Sequence, residues 1–172
     1  MPESLIVRTA TVDDLPALVH IALESQTAPR WTLTQYREVL DTPQDAALRR
    51  VILVAERDRA PAGFAVVSAL CSVLPSEAEL EIIAVTPSQQ GRGLGRALMQ
   101  GAIAWAIEQQ ANLLRLEVRA GNARALRMYA AAGFQSEGTR RAYYADPVED
   151  AVCLALPVAA QTHAMQLGET ES

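Results

Sequence analysis

Ile83-Ala84-Val85-Thr86-Pro87-Ser88-Gln89-Gln90-Gly91-Arg92-Gly93-Leu94-Gly95-Arg96-Ala97-Leu98 is the stretch on which the fold turns. Its first residues continue an apolar run from Ile82, as expected of a central strand covered on both faces, and Thr86-Pro87 stops it. Its last residues open a helix predicted over 93–110, with Leu94, Leu98, Ala102 and Trp105 along one stripe. Between them, Gly91, Gly93 and Gly95 strip side chains from a curved backbone, so that its amides can converge on a bound group. The helix N-terminus adds partial positive charge, Arg92 and Arg96 add full charges, and together they suit a pyrophosphate. No Gly-Lys-Ser/Thr follows, which excludes a P-loop. The G-x-G at 91 and 93 is shared with the dinucleotide fingerprint, but the third glycine comes too soon and the strand lies mid-chain. A plain glycine turn is the other alternative.

Outward from this turn the periodicities predict β-α-α-β-β-β-α-β-α-β-β. A short strand over 5–9 precedes a helix capped by Thr11 or Asp13, with Leu15, Leu18, Val19, Ala22 and Leu23 at helical spacing. A second helix starts after Trp31, capped by Thr32 or Thr34, and a polar loop is expected over 41–50. Strands over 51–56 and 63–70 form a hairpin around a tight turn at 57–60, and a strand over 78–85 leads to the glycine turn. A strand over 113–118 follows, then a short helix over 123–132, capped by Asn122 and ended by Gly133. Phe134, a bridging loop, a strand over 141–144 and a strand over 152–156 complete the order. This predicts an α/β fold: one mixed, mostly antiparallel sheet with a parallel centre and helices on both faces. Residues 1–157 are expected to form one domain and 158–172 a flexible tail.

At 172 residues, half of them apolar, the chain is long enough for a hydrophobic core. A net charge of -5, from 20 acidic and 15 basic residues, offers no broad basic surface for nucleic acid. Cys71 and Cys153 lie in apolar runs and read as small buried hydrophobes, and His20 and His163 lack a further ligand at metal-binding spacing. No export signal is read in residues 1–9 and no membrane-spanning run is present, so a cytoplasmic protein is expected, monomeric or weakly dimeric.

The quoted stretch resembles the acetyl-CoA-binding motif of the GNAT superfamily, Gln/Arg-x-x-Gly-x-Gly/Ala, carried here by Gln90, Gly93 and Gly95. Leu116-Glu117-Val118-Arg119-Ala120-Gly121-Asn122-Ala123-Arg124-Ala125-Leu126-Arg127-Met128-Tyr129, followed by Gly133-Phe134, resembles the other cofactor half of that fold. Arg140-Arg141-Ala142-Tyr143-Tyr144, with Glu149-Asp150-Ala151 and Leu154-Ala155-Leu156, resembles the end of the RimI branch, bacterial acetyltransferases of ribosomal-protein N-termini. The resemblance covers roughly residues 4–157.

The resemblance implies a cleft where the strands over 78–85 and 113–118 splay apart. Acetyl-CoA would lie there as cosubstrate, with no metal. Backbone groups at Ile83, Ala84 and Val85 would hold the pantetheine and thioester, and Gln90, Gly91, Arg92, Gly93, Gly95 and Arg96 the pyrophosphate, with Asn122 and Tyr129 on the cofactor side. The acceptor amine must lose a proton and the leaving thiolate must gain one. Glu117 is the implied base and Tyr129 the implied acid. Each has a structural alternative: an ion pair of Glu117 with Arg115 or Arg119 on the same strand face, and Tyr129 as plain core. Trp31, Tyr143 and Tyr144 are expected to shape the acceptor channel, although alternation would put the two tyrosines on opposite faces.

Glu79 and Glu81 depart from the branch pattern, which keeps an apolar residue at 81. They alternate so as to share a face, and would draw a cationic amine. The expected acceptor is a protein N-terminus, with a ribosomal protein implied by the branch. The alternatives are a small-molecule amine, a lysine side chain, or a non-catalytic acyl-CoA-binding module.

Overall fold

Local signals set the element boundaries in the computed structural model, which describes residues 4–72 and 75–158. Strand β1 (Leu5–Thr9) ends where Thr11 opens a short 3-10 turn closed by a capping box with Asp14. Asp14 in turn precedes helix α1 (Leu15–Glu24), with proline in its first turn. Thr32 caps α2 (Leu33–Leu40) through a second box, in which its side chain accepts from the Gln35 amide. Asp58 and Arg59, at φ of 51° and 67°, make the tight turn between β2 (Leu48–Arg57) and β3 (Ala60–Leu70). Then follow β4 (Glu77–Val85), α3 (Leu94–Glu108), β5 (Leu113–Arg119), α4 (Ala123–Ala131), β6 (Gln135–Ala145) and β7 (Val148–Pro157).

The strands form one sheet in the order β1-β2-β3-β4-β5-β7-β6, in which only β4 and β5 run parallel. The expected α/β fold and element order are therefore observed. Alternation along β2 and β3 feeds two cores. Leu53, Ala55, Ala65 and Val67 join Leu94, Leu98, Leu114, Leu116 and Tyr129 in a layer under α3 and α4. Ile52, Val54, Phe64 and Val66 join Leu18, Ile21, Tyr36 and Val39 in a layer under α1 and α2.

β4 serves both layers. Ala78 and Leu80 pack with α3 and α4, whereas Ile82 and Ala84 pack with α1 and α2. The change of side occurs at a bulge, where Val66 pairs with Ile82 but Val67 pairs with Leu80, leaving Glu81 as the extra residue. Glu79 and Glu81 therefore share the α1/α2 face, and Ile83 and Val85 turn to the other.

Several boundaries differ from the expected ones. β2 begins at Leu48, inside the expected loop, because Arg49 and Arg50 continue the pairing with β3 opposite Ala69 and Ser68. β6 is continuous from Gln135, with irregularities between Ser136 and Gly138 and between Arg140 and Tyr144 replacing the expected loop. Val158, assigned to the tail by sequence, is fully buried and donates its N–H to the Asn112 carbonyl at 2.9 Å. The remainder of the expected tail, with His163, lies outside the described residues. Cys71 and Cys153 are half-buried rather than buried.

Candidate active site

The parallel pairing of β4 with β5 is short: Glu77 with Leu113, Ala78 with Leu114 and Glu79 with Arg115. Beyond it β4 keeps only β3, and β5 keeps only β7, so the two central strands part as expected. From Leu80 onward one edge of β4 lies open, and alternate backbone groups there have no strand to bond. Ile83, Ala84 and Val85 lie on this edge.

The glycine turn closes the wide end of the splay. Gly91 and Gly93 have φ of 78° and 89°, conformations that a residue bearing a Cβ adopts at a cost. Gly93 caps α3, and the first helical bond there runs from the Ala97 amide to the Gly93 carbonyl at 3.0 Å. The amides of Leu94, Gly95 and Arg96 therefore have no intrahelical partner and stand at the positive end of the helix. A Cβ built on Gly93 would meet no atom within 4 Å, so the turn has open space in front of it. This is a cradle of backbone donors that fits a pyrophosphate. Gly95 lies inside α3, where its missing side chain leaves room for Met128 of α4, 3.4 Å from the Cβ position.

Side chains brace the cradle from behind. Gln90 donates to the Val85 carbonyl at 3.3 Å and accepts from Arg124 at 3.0 Å, so its amide shapes the turn. Arg57 donates to the Arg92 carbonyl at 2.8 Å. Asn122 is committed as the cap of α4, accepting from the Ala125 amide at 3.1 Å. Arg96 borders a cavity of about 300 Å³ between α3 and α4, with Gln100, Met128 and Ala132 on its walls.

On the α1/α2 face of the splay the site is built from charges. Arg50 forms a bidentate pair with Glu81, at 3.1 and 2.5 Å, and lies 5.4 Å over the Trp31 ring. Trp31 itself rests against the buried Tyr36 at a centroid distance of 5.4 Å. Arg140 pairs with Glu117 at 3.0 Å and lies 5.5 Å from the Tyr143 ring, whose hydroxyl hydrogen-bonds Glu117. Glu79 stands among these groups with no ion-pair partner among the described residues. Its carboxyl is pushed above the usual carboxylate range, first by burial and then by the charges of Glu81 and Glu117.

The structural alternative for Glu117 changes partner. Arg115 is taken by Glu77 and Glu137, and Arg119 by Glu149, leaving Glu117 to Arg140 on β6. β7 lies between β5 and β6, so this pairing reaches across a strand, as the pairing of Arg115 with Glu137 does. Tyr143 and Tyr144 do not take opposite faces. Ala142, at φ 50°, breaks the alternation in β6, and the two rings meet edge to face with centroids 5.1 Å apart.

Tyr129 is almost fully buried in the α3/α4 layer, edge to face with Phe134 at 5.5 Å. Burial, with a further contribution from Tyr144, pushes its hydroxyl well above the ordinary tyrosine value. Tyr144 is itself raised by burial and then by Glu117. The charge of Glu117 thus reaches Tyr144, and that of Tyr144 reaches Tyr129, across the splay. Sequence reasoning did not find the roles of Arg50, Arg119, Arg124 and Glu149; the first, second and fourth lie on different strands and Arg124 on α4, and their pairings become readable only once register and packing are known. Among the described residues no helix is long and apolar enough to cross a membrane, and no group of metal-binding side chains gathers.

The profile of the acetyltransferase (GNAT) family matches residues 15–134. A Bacillus subtilis (strain 168) protein, provisionally named a [ribosomal protein bS18]-alanine N-acetyltransferase, is 32% identical over 157 residues, which cover 90% of this chain and 96% of that protein. The [ribosomal protein bS18]-alanine N-acetyltransferase of Escherichia coli (strain K12) is 44% identical over 92 residues, 52% of this chain and 62% of that protein. The crystal structure of the ribosomal-protein-S18-alanine N-acetyltransferase from Escherichia coli superposes with a TM-score of 0.76 at 33% identity, covering 91% of this chain and 95% of that one.

Proposed function

The chain belongs to the GNAT acetyltransferase family and is an acetyl-CoA-dependent N-acetyltransferase, and we propose that its acceptor is the N-terminal α-amine of a protein, a ribosomal protein by kinship with its relatives. The observation that carries this reading is the splay of β4 from β5, with the free amides of α3 at its wide end and Glu117 on β5 beside it. Acetyl-CoA supplies an activated acetyl thioester. The free amides of α3 and the open edge of β4 at Ile83 and Val85 would hold it, the former on its pyrophosphate.

Glu117 is the base. A free α-amine has a pKa of roughly 8, so a nearby carboxylate, acting directly or through water, completes deprotonation near neutrality. Arg140 and Tyr143 hold the Glu117 carboxylate until the incoming ammonium shares it. Tyr129 is the acid: its raised hydroxyl keeps its proton throughout the working range and donates it to the departing sulfur. Trp31, Tyr143 and Tyr144 line the acceptor channel, and Glu79 and Glu81 attract the amine. A cytoplasmic location follows from a ribosomal substrate.

A second reading, acetylation of a small amine or a lysine side chain, is favoured by Glu79, an unpaired carboxylate that does not depend on a peptide backbone. A panel of short peptides varied at residue one, beside free lysine and polyamines, separates the two by CoA release. Acetylation of the peptide α-amine, located by mass spectrometry, is the expected result. Turnover confined to small amines would overturn it.

A further inference from the structure

Two successive elements, α4 and β6, carry Tyr129 and Tyr144, and one cation fastens both. Arg119, the last residue of β5, has a side chain only 17% exposed. Its Nη1 donates to Glu149 Oε2 at 3.2 Å and to the Pro147 carbonyl at 3.3 Å, and its Nη2 donates to the Asp146 carbonyl at 3.2 Å. The guanidinium carbon lies over the Tyr144 ring, 4.1 Å from its centroid. A planar fork that stacks on a ring while bonding three acceptors is a geometry lysine does not reproduce.

Glu149 carries the connection onward. Its other carboxylate oxygen accepts the Gly121 amide at 2.5 Å, and a Cβ on Gly121 would lie 2.6 Å from that oxygen, so a side chain here would displace the Glu149 carboxylate. Asn122 follows at once and caps α4, the helix that bears Tyr129. The hairpin of β6 and β7, bearing Tyr144, and the turn that launches α4 are thus tied to the same guanidinium.

We propose that Arg119 is a positioning residue, holding Tyr144 and the start of α4 so that the Tyr129 hydroxyl faces the splay in the orientation proton donation needs. The inference rests on the reading of Tyr129 as the acid. Arg119 touches neither cosubstrate nor acceptor; it acts through the two tyrosines.

A double-mutant cycle tests it on the full chain. Arg119→Lys keeps the charge and loses the fork and the stack; it is expected to lower kcat roughly tenfold, as small misplacements of reacting groups do. The Kd for acetyl-CoA should stay within about twofold, since that contact is not Arg119's own, whereas a shift in the KM for peptide, transmitted through Tyr144, has no bearing on the cycle in kcat. In a Tyr129→Phe background the same change should cost under about twofold, because the group it positions is gone. Equal losses in both backgrounds, or an unchanged kcat for Arg119→Lys alone, would overturn the positioning role and leave the acid reading standing. An unchanged kcat for Tyr129→Phe would instead remove the acid reading, and with it the proposal. Should Arg119→Lys not fold, Glu149→Gln, which weakens the ties to both Arg119 and Gly121 but keeps the stack on Tyr144, runs the same cycle with a smaller expected loss of about threefold.

Discussion

The two halves of the site are made of different material. The half proposed to take the cosubstrate is backbone: free amides at the start of α3, the open edge of β4, and glycines at φ of 78° and 89°. The half that faces the acceptor is side chain: Arg50 on Glu81, Arg140 and Tyr143 on Glu117, and Arg119 on Tyr144. Backbone donors are fixed by secondary structure and tolerate changes around them. Side-chain pairs are set by single residues from different strands, so one substitution can retune them. A fold built in this way holds one cosubstrate while allowing its acceptor to vary.

Substitutions on each side can break or sharpen this contrast. The largest expected effect is on chemistry: Tyr129→Phe should lower kcat by roughly 10²- to 10³-fold with little change in acetyl-CoA affinity by calorimetry. The wild-type kcat should also show no decline with rising pH up to about pH 10, because burial keeps the Tyr129 proton on above the ordinary range. A decline near pH 8 would assign the acid elsewhere.

Next comes the backbone half. Gly93→Ala forces a Cβ into the left-handed conformation at φ 89°, costing about 1 kcal/mol of stability. It should also raise the acetyl-CoA KM roughly tenfold by disturbing the amide cradle, while kcat at saturation changes little. A raised peptide KM with unchanged cosubstrate KM would contradict the division.

A charge outside both halves supplies the reference. Asp14 is buried and receives a bidentate bond from Arg8 at 2.8 Å, which holds its carboxyl at about 2, below the ordinary 3.8. Because the folded value is depressed, its stabilisation is complete above about pH 4 and is lost as pH falls toward 2. Urea midpoints should show Asp14→Asn costing about 2 kcal/mol at pH 6 and converging on wild type near pH 2.

The smallest effect belongs to the acceptor half. Arg50→Ala should change stability by under about 1 kcal/mol, since the pair with Glu81 remains partly exposed, at 24% and 17%. Its consequence should appear in the KM for cationic acceptors, falling a few-fold as Glu81 is released, with the difference fading at high salt.

The backbone half is also the more legible in sequence. Glycine spacing, the strand before it and the helix after it are local, and 83–98 contains most of the cradle. The splay could be anticipated only through resemblance, and the acceptor network not at all. Arg50 and Glu81 are 31 residues apart, and nothing local pairs Arg140 with Glu117 in preference to Arg115 or Arg119. The tyrosine pair misled for a related reason: strict alternation fails where Ala142 leaves the extended region. Arg49 and Arg50 hid the start of β2, because polarity resembled a loop until the pairing with β3 gave each arginine a side of the sheet.

Since Glu81 sits at the bulge, side chains before it and after it answer to different faces of one strand. Positions 79 and 81 can therefore be exchanged among acidic, polar and apolar residues without rotating Ile83 and Val85 out of register. That makes the first half of the strand a region where new acceptors can be explored, by drift or by design, while the second half keeps the open edge proposed to hold the thioester.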